Sequence, residues 1–196
     1  MVGSVAAKSD ASEHAIHLLA RENKILELIA RGAALEKVLT EIAYAAESYS
    51  DPGVRCSILL LDETATHLLH GAAPSLPQAY NDAINGVAIG PAVGSCATAA
   101  YLKKPVIVSD IEFDPLWKDY KDLALAHGLR ACWSTPIVSS QAEVIGTFAL
   151  YYDHPSHPSD HARQVIDLLA RTASIAIERH RSARRFFTPA IGIKGG

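Results

Sequence analysis

Three thiols, Cys56, Cys96 and Cys132, are the side chains best suited to chemistry in this 196-residue chain. A thiolate is a nucleophile, and a second thiol can resolve the sulfenic acid that oxidation leaves behind. The number is odd and no pair has Cys-x-x-Cys spacing, which argues against a disulfide framework and against a zinc clip. Cys56 sits in an apolar run ending Ser57-Ile-Leu-Leu-Leu61 and reads as a small core residue. Cys96 opens a helix in Gly94-Ser-Cys-Ala-Thr-Ala-Ala100, and Cys132 lies in Gly128-Leu-Arg-Ala-Cys-Trp-Ser-Thr-Pro-Ile137.

Other candidates are weaker. Asp153, His154, His157, Asp160 and His161 are dense enough for metal ligation. Pro155 and Pro158 interrupt them, so a solvated surface connection is the better reading. His127, at the end of a short helix, has the position of a heme ligand, although such a histidine is more often a cap. Gly86, Gly90 and Gly94 are four apart with no Lys-Ser/Thr following, which fits neither a Walker loop nor a dinucleotide fingerprint. The free N–H groups of a helix opening at Gly94-Ser95 could hold an anion or a carbonyl oxygen, or simply be capped.

The elements that must position these groups follow from periodicity. Residues 1–9 are small and polar and are expected to be loose. A helical pattern runs from Asp10 to Arg31, with Ile16, Leu19, Leu26 and Ile29 near one face, Ser12 as cap and Gly32 as stop. Such a helix suits either a dimer seam or a fold-back onto its own core. A second helix spans Leu35 to Ser48. Strands are expected over 54–62 and 67–73 across a turn at 62–65, over 105–108, and over 129–138 and 143–152 across a turn at 139–142. The first is apolar on both faces at its end and reads as central. Short helices fall at 78–84, 95–103 and 120–127, and Pro115 suits a first helical turn. Ser159 caps a closing helix that carries Val165, Ile166, Leu169, Ala173 and Ile177 on one stripe. Residues 186–196 have no periodicity and read as a flexible tail. This order describes an α+β domain: an antiparallel sheet, long helices on one face, a pocket-forming segment on the other.

Composition narrows the class. Hydrophobic residues make up 49% and charged residues 20%, with a formal net charge of −3, which suits one globular domain and gives no reason to expect nucleic acid. No apolar run is long enough to span a bilayer, and a signal-peptide layout is missing, so a cytoplasmic protein is expected.

Residues about 34 to 180 resemble a GAF domain, the small-molecule sensor module of bacterial signalling proteins. The resemblance is carried by Cys56-Ser-Ile-Leu-Leu-Leu-Asp62, Gly94 to Ala100, Val106-Ile-Val-Ser-Asp-Ile111, Asp114-Pro-Leu-Trp117, Gly128 to Ile137 and Gly146-Thr-Phe-Ala-Leu-Tyr-Tyr152. It is nearest to modules found beside PAS, histidine-kinase and diguanylate-cyclase domains. It implies a GAF/PAS-like six-stranded antiparallel sheet, a GAF domain over 34–185 behind a helix over 10–33, and terminal helices that form a homodimer bundle. It further implies a sensory, non-catalytic module whose unknown small-molecule ligand biases those helices and a kinase or cyclase output, as in a two-component system. The residues expected around the ligand are Cys96, Thr98, Trp117, Cys132, Trp133, Thr135, Phe148 and Tyr151; core filling is the competing reading for Trp117 and Trp133.

The family also supplies rivals. Bilin attachment needs a cysteine where this chain has Asp119 and Tyr120, and the Asn-Lys…Phe…Asp-Glu pattern of cyclic-nucleotide modules has no match. Free methionine-(R)-sulfoxide reductase, a GAF-fold enzyme, has cysteines placed like Cys96 and Cys132. Its third cysteine has no counterpart in Asn85-Gly-Val-Ala-Ile89, and Ser134-Thr135 stands where acidic residues are expected. A heme sensor through His127 is a further alternative, and no cofactor is assigned.

Overall fold

The computed structural model describes the backbone of residues 3–187 and the side chains of residues 16–184. Helices α1 (Gly3–Ala30) and α2 (Leu35–Ser48) lead into strands β1 (Arg55–Leu61) and β2 (His67–Ala72). Helix α3 (Gln78–Ile84), strand β3 (Val87–Ala88), helix α4 (Gly94–Leu102) and strand β4 (Val106–Val108) follow. A 3-10 turn (Pro115–Trp117) and helix α5 (Lys121–Ala126) precede strands β5 (Ala131–Val138) and β6 (Val144–Tyr152), and helix α6 (Asp160–Phe187) closes the chain. The sheet order is β3-β2-β1-β6-β5-β4 with every neighbouring pair antiparallel. The expected α+β architecture is therefore present, with β1 central as read. The sixth strand is β3, two residues long and too short for any periodicity to reveal.

Side chains alternate across a strand, so the sheet divides the core into two. Cys56, Ile58, Trp133, Ile137, Phe148 and Leu150 face α2 and α6 in one cluster. Leu59, Cys132, Ala149 and Tyr151 face α4 and the surrounding short elements in the other. Two glycines let strands approach. A Cβ on Gly146 would strike the carbonyl oxygen of Leu59, and one on Gly71 would lie 2.7 Å from that of Ile58.

The first helix begins at Gly3, within the segment expected to be loose. Residues 5–7 are Val-Ala-Ala, whose two alanines favour helix although they give no amphipathic stripe. Ile25 and Ile29 are buried against the bundle, whereas Ile16 and Leu19 are exposed beyond it. Gly32 ends the turn with φ of +73°, a conformation glycine adopts without a Cβ penalty. At the other end Ser159 Oγ accepts from Ala162 N at 3.1 Å, capping α6 as read. Along α6, Arg179 Nη2 donates to Ala30 O at 3.0 Å, and Arg181 Nη2 donates to Leu61 O at 2.5 Å and Ile145 O at 3.4 Å. The expected flexible tail lies, beyond Phe187, outside the described residues. Among the described residues no helix is long and apolar enough to cross a membrane.

Candidate functional site

Helix α4 begins at Gly94, whose φ of +58° turns the chain into the helix while the Trp117 ring lies against it. No side chain caps α4 from Val93; instead Val93 N donates to Thr98 Oγ1 at 3.0 Å, one turn inside. The helix so begun packs over β5 and β6. Ser95 secures the first turn: its hydroxyl accepts from Trp117 Nε1 at 3.1 Å and donates to Cys132 O at 3.3 Å.

Beneath α4 the sheet presents polar groups in an apolar setting. Ser57 on β1 and Ser134 on β5 both pair with Ala149 of β6, and Thr147 lies two residues along β6 on the same face. All three are fully buried, and their hydroxyls have no hydrogen-bond partner among the described residues. Cys96 Sγ approaches Tyr151 Oη at 3.6 Å. Cys132, opposite Tyr151 in the β5–β6 register, is buried on this face too.

These neighbours split the two thiols. The Cys132 thiol first, then the nearby Ser134, Tyr151 and Thr147 hydroxyls, favour a charged sulfur enough to outweigh burial and pull the Cys96 thiol down to about 7. Burial, reinforced by hydrogen bonding to Cys96, pushes the Cys132 thiol up. The Ser134 and Thr147 hydroxyls are outside hydrogen-bond geometry with a neutral thiol but near enough to turn toward a charged sulfur. Burial also raises Tyr80 and Tyr151, keeping both phenols protonated as donors.

A cavity of about 30 Å³ opens beside this cluster, between Tyr80, Val93, Cys96, Trp117, Tyr120 and Tyr151. That is room for roughly two waters. Among the described residues no charged side chain lines it.

Of the eight expected ligand residues, Cys96, Trp117 and Tyr151 line this cavity and Cys132 is buried alongside. Thr98 is buried in α4 as a backbone anchor. Trp133, Thr135 and Phe148 do not join them. Trp133 and Phe148 pack in the cluster under α2 and α6, and Thr135 borders a groove against Asp167 and Arg171 of α6. The reason is the two-residue period of β5, which cannot send Cys132 and Trp133 to one face. Missed in the sequence were Ser57, Ser134, Thr147, Tyr80 and Ser95. The signal available for three of them was a small hydroxyl residue interrupting an apolar strand.

The dense histidine segment does not converge. His154 Nδ1 meets Asp153 at 2.7 Å and His157 Nδ1 meets Ser109 Oγ at 3.1 Å. His127 is half-buried with its ring edge-on to Tyr80 at 5.8 Å.

The GAF domain family profile matches residues 32–178, three-quarters of the chain. This chain belongs to the GAF domain family. A methyl sulfide methyltransferase-associated sensor of Methanosarcina acetivorans is 39% identical over 171 residues, covering 87% of this chain and 17% of that protein. This GAF chain thus spans about a sixth of that relative's length. A solved domain ascribed to a two-component sensor histidine kinase protein of Sinorhizobium meliloti 1021 superposes with a TM-score of 0.64. It shows 26% identity over 79% of this chain and 99% of that one. Free methionine-R-sulfoxide reductase of Neisseria meningitidis, solved with its substrate, shares the fold at a TM-score of 0.61. Its identity is 17%, over 83% of this chain and 89% of that one.

Proposed function

We propose that this GAF domain is a sensory module that holds a small, uncharged ligand between α4 and the sheet. The observation that carries the reading is the set of orphaned hydroxyls of Ser57, Ser134 and Thr147, buried on one face beside a cavity without charges. Buried polar groups are nearly always partnered, and three together mark a place where something else completes the bonding. The name of the Methanosarcina acetivorans relative supports a sensing role. In this reading Trp117, Tyr80 and Tyr120 form the wall, and a ligand larger than two waters displaces them to enter.

Signal output runs through the sheet. Occupancy shifts α4 against β5 and β6, and the opposite faces of those strands carry Trp133 and Phe148 against the bundle of α2 and α6. The terminal helices carry the exposed apolar residues Ile16, Leu19 and Ile175, which suit a homodimer seam feeding a kinase or cyclase output in the cytoplasm.

Native mass spectrometry of the purified protein, with a visible absorption spectrum, tests the reading. A bound mass that is lost in Trp117→Ala while the fold is retained supports it. No bound mass, together with turnover of free methionine-(R)-sulfoxide by a thiol reductant, would replace it with the reductase reading, for which the buried Cys96 and Cys132 are the supporting feature.

A further inference from the structure

The thiols in the candidate site are arranged for more than reversible binding. Cys96 and Cys132 come from different elements, α4 and β5, and the Ser95 to Cys132 hydrogen bond holds those elements together one residue away from the first sulfur. Both sulfurs share the face with Tyr151: Cys96 Sγ lies 3.6 Å from Tyr151 Oη, and Cys132 is the residue opposite Tyr151 in the β5–β6 register. Cys56, the third thiol, is buried on the opposite face of the sheet among Ile58, Phe148 and Leu150. The fold therefore builds one pair and isolates one singleton.

The surroundings favour one partner of the pair as the attacking group. Ser134, Thr147 and Tyr151 hydroxyls stand near the Cys96 sulfur, and no carboxylate lines the cavity to oppose negative charge there. Thiolates stabilised by such donors are the reactive ones. Access is limited by size: the cavity at Cys96 has a volume of about 30 Å³. This admits a molecule about the size of two waters, which suits hydrogen peroxide or another minimal hydroperoxide.

We propose that Cys96 and Cys132 form a reversible oxidation site in which a small hydroperoxide is the stimulus. This rests on the reading of the α4 face as the sensing site. In the first step the Cys96 sulfur attacks one peroxide oxygen. An S–O bond forms, the O–O bond breaks, the sulfur loses two electrons to the peroxide, and the departing oxygen takes the thiol proton and leaves as water from hydrogen peroxide or as the alcohol from an organic hydroperoxide. In the second step the Cys132 sulfur attacks Cys96, an S–S bond forms, the S–O bond breaks, and the hydroxyl leaves as water with the Cys132 proton. A dithiol reductant reverses the bond by exchange. The disulfide pins the first turn of α4 to β5, adding a covalent tie beside the Ser95–Cys132 hydrogen bond.

The test uses the full chain, reduced and then exposed to hydrogen peroxide, with peptide mapping of the product. One disulfide joining Cys96 to Cys132 is expected, unchanged in Cys56→Ser and restored to thiols by a dithiol. Cys132→Ser should stop at a sulfenic acid on Cys96 that dimedone traps, and Ser134→Ala should slow that trapping. A disulfide that includes Cys56, a sulfenic acid on Cys132 instead, or unreacted thiols in a folded protein would overturn the proposal. Hydrogen exchange of α6 amides before and after oxidation separates this chemistry from the sensing reading. A disulfide that leaves α6 protection unaltered keeps the oxidation site and removes its link to output. Unreacted thiols in a protein that still carries a bound mass leave the ligand reading intact and remove the oxidation site.

Discussion

The indole N–H of Trp117 donates to the Ser95 hydroxyl at 3.1 Å. Since Ser95 in turn donates to the backbone of Cys132, one small side chain joins the 3-10 turn, α4 and β5. Both bonds are buried, so removing the hydroxyl strands a donor and an acceptor.

Ser95→Ala is therefore expected to cost about 1–3 kcal/mol. Chemical denaturation should show a lowered midpoint, and Trp117 fluorescence should change in the folded state. A variant with unchanged midpoint and fluorescence would mean that α4 is held without this bond.

Trp133→Ala should destabilise the domain by roughly 3–5 kcal/mol, because it empties a position in the core beneath α2 and α6. Trp133→Phe should be far milder, since the Trp133 Nε1 hydrogen has no partner to lose. Urea unfolding of the two variants distinguishes packing from ligand contact. If Trp133→Ala kept wild-type stability and lost only a bound ligand, the assignment of Trp133 to the bundle face would be wrong.

Alkylation of Cys96 by a small uncharged reagent should follow pH with a midpoint at about 7. The sign follows from the depressed value: the thiolate predominates above that pH, and reactivity falls as pH drops through it. Replacing the neighbouring donors in Ser134→Ala or Thr147→Val should move the midpoint up toward the ordinary thiol value. Mass-resolved labelling rates between pH 5.5 and 9, roughly bracketing the perturbed and ordinary thiol values, provide the measurement.

Gly146→Ala should cost about 1–3 kcal/mol or more, since its Cβ meets the Leu59 carbonyl in the neighbouring strand. Backbone cannot swing aside as a side chain can. A thermal melt shows the effect, and no change would indicate that β1 and β6 separate locally at little cost.

Much of this domain was legible because long elements carry periodic signals. The α2 span Leu35–Ser48 and the α3 span Gln78–Ile84 follow directly from spacing. The strands on either side of the turns at 62–65 and 139–142 follow from those turns. The site was only partly legible. Cys96, Trp117 and Tyr151 were expected from the family resemblance and lie together at the cavity, but Trp133, Thr135 and Phe148 belong to the opposite face. Apolar residues on both sides of β5 conceal which face each serves, since a strand buried twice has no polar alternation to reveal its orientation. Ser57, Ser134 and Thr147 left only the mark of a small hydroxyl residue in an apolar strand, because a buried hydroxyl acquires meaning only once its lack of a partner is known.

Arg179 and Arg181 give α6 a mechanical character. Their guanidinium groups hold the end of α1 and the ends of β1 and β6, all from one helix. A long arginine stem follows an axial slide of an ångström or two without releasing its carbonyl. A twist by even one residue, about 100° for an α-helix, carries the side chain off that face altogether. Anchored in this way, α6 is better suited to a slide along its axis than to a turn about it.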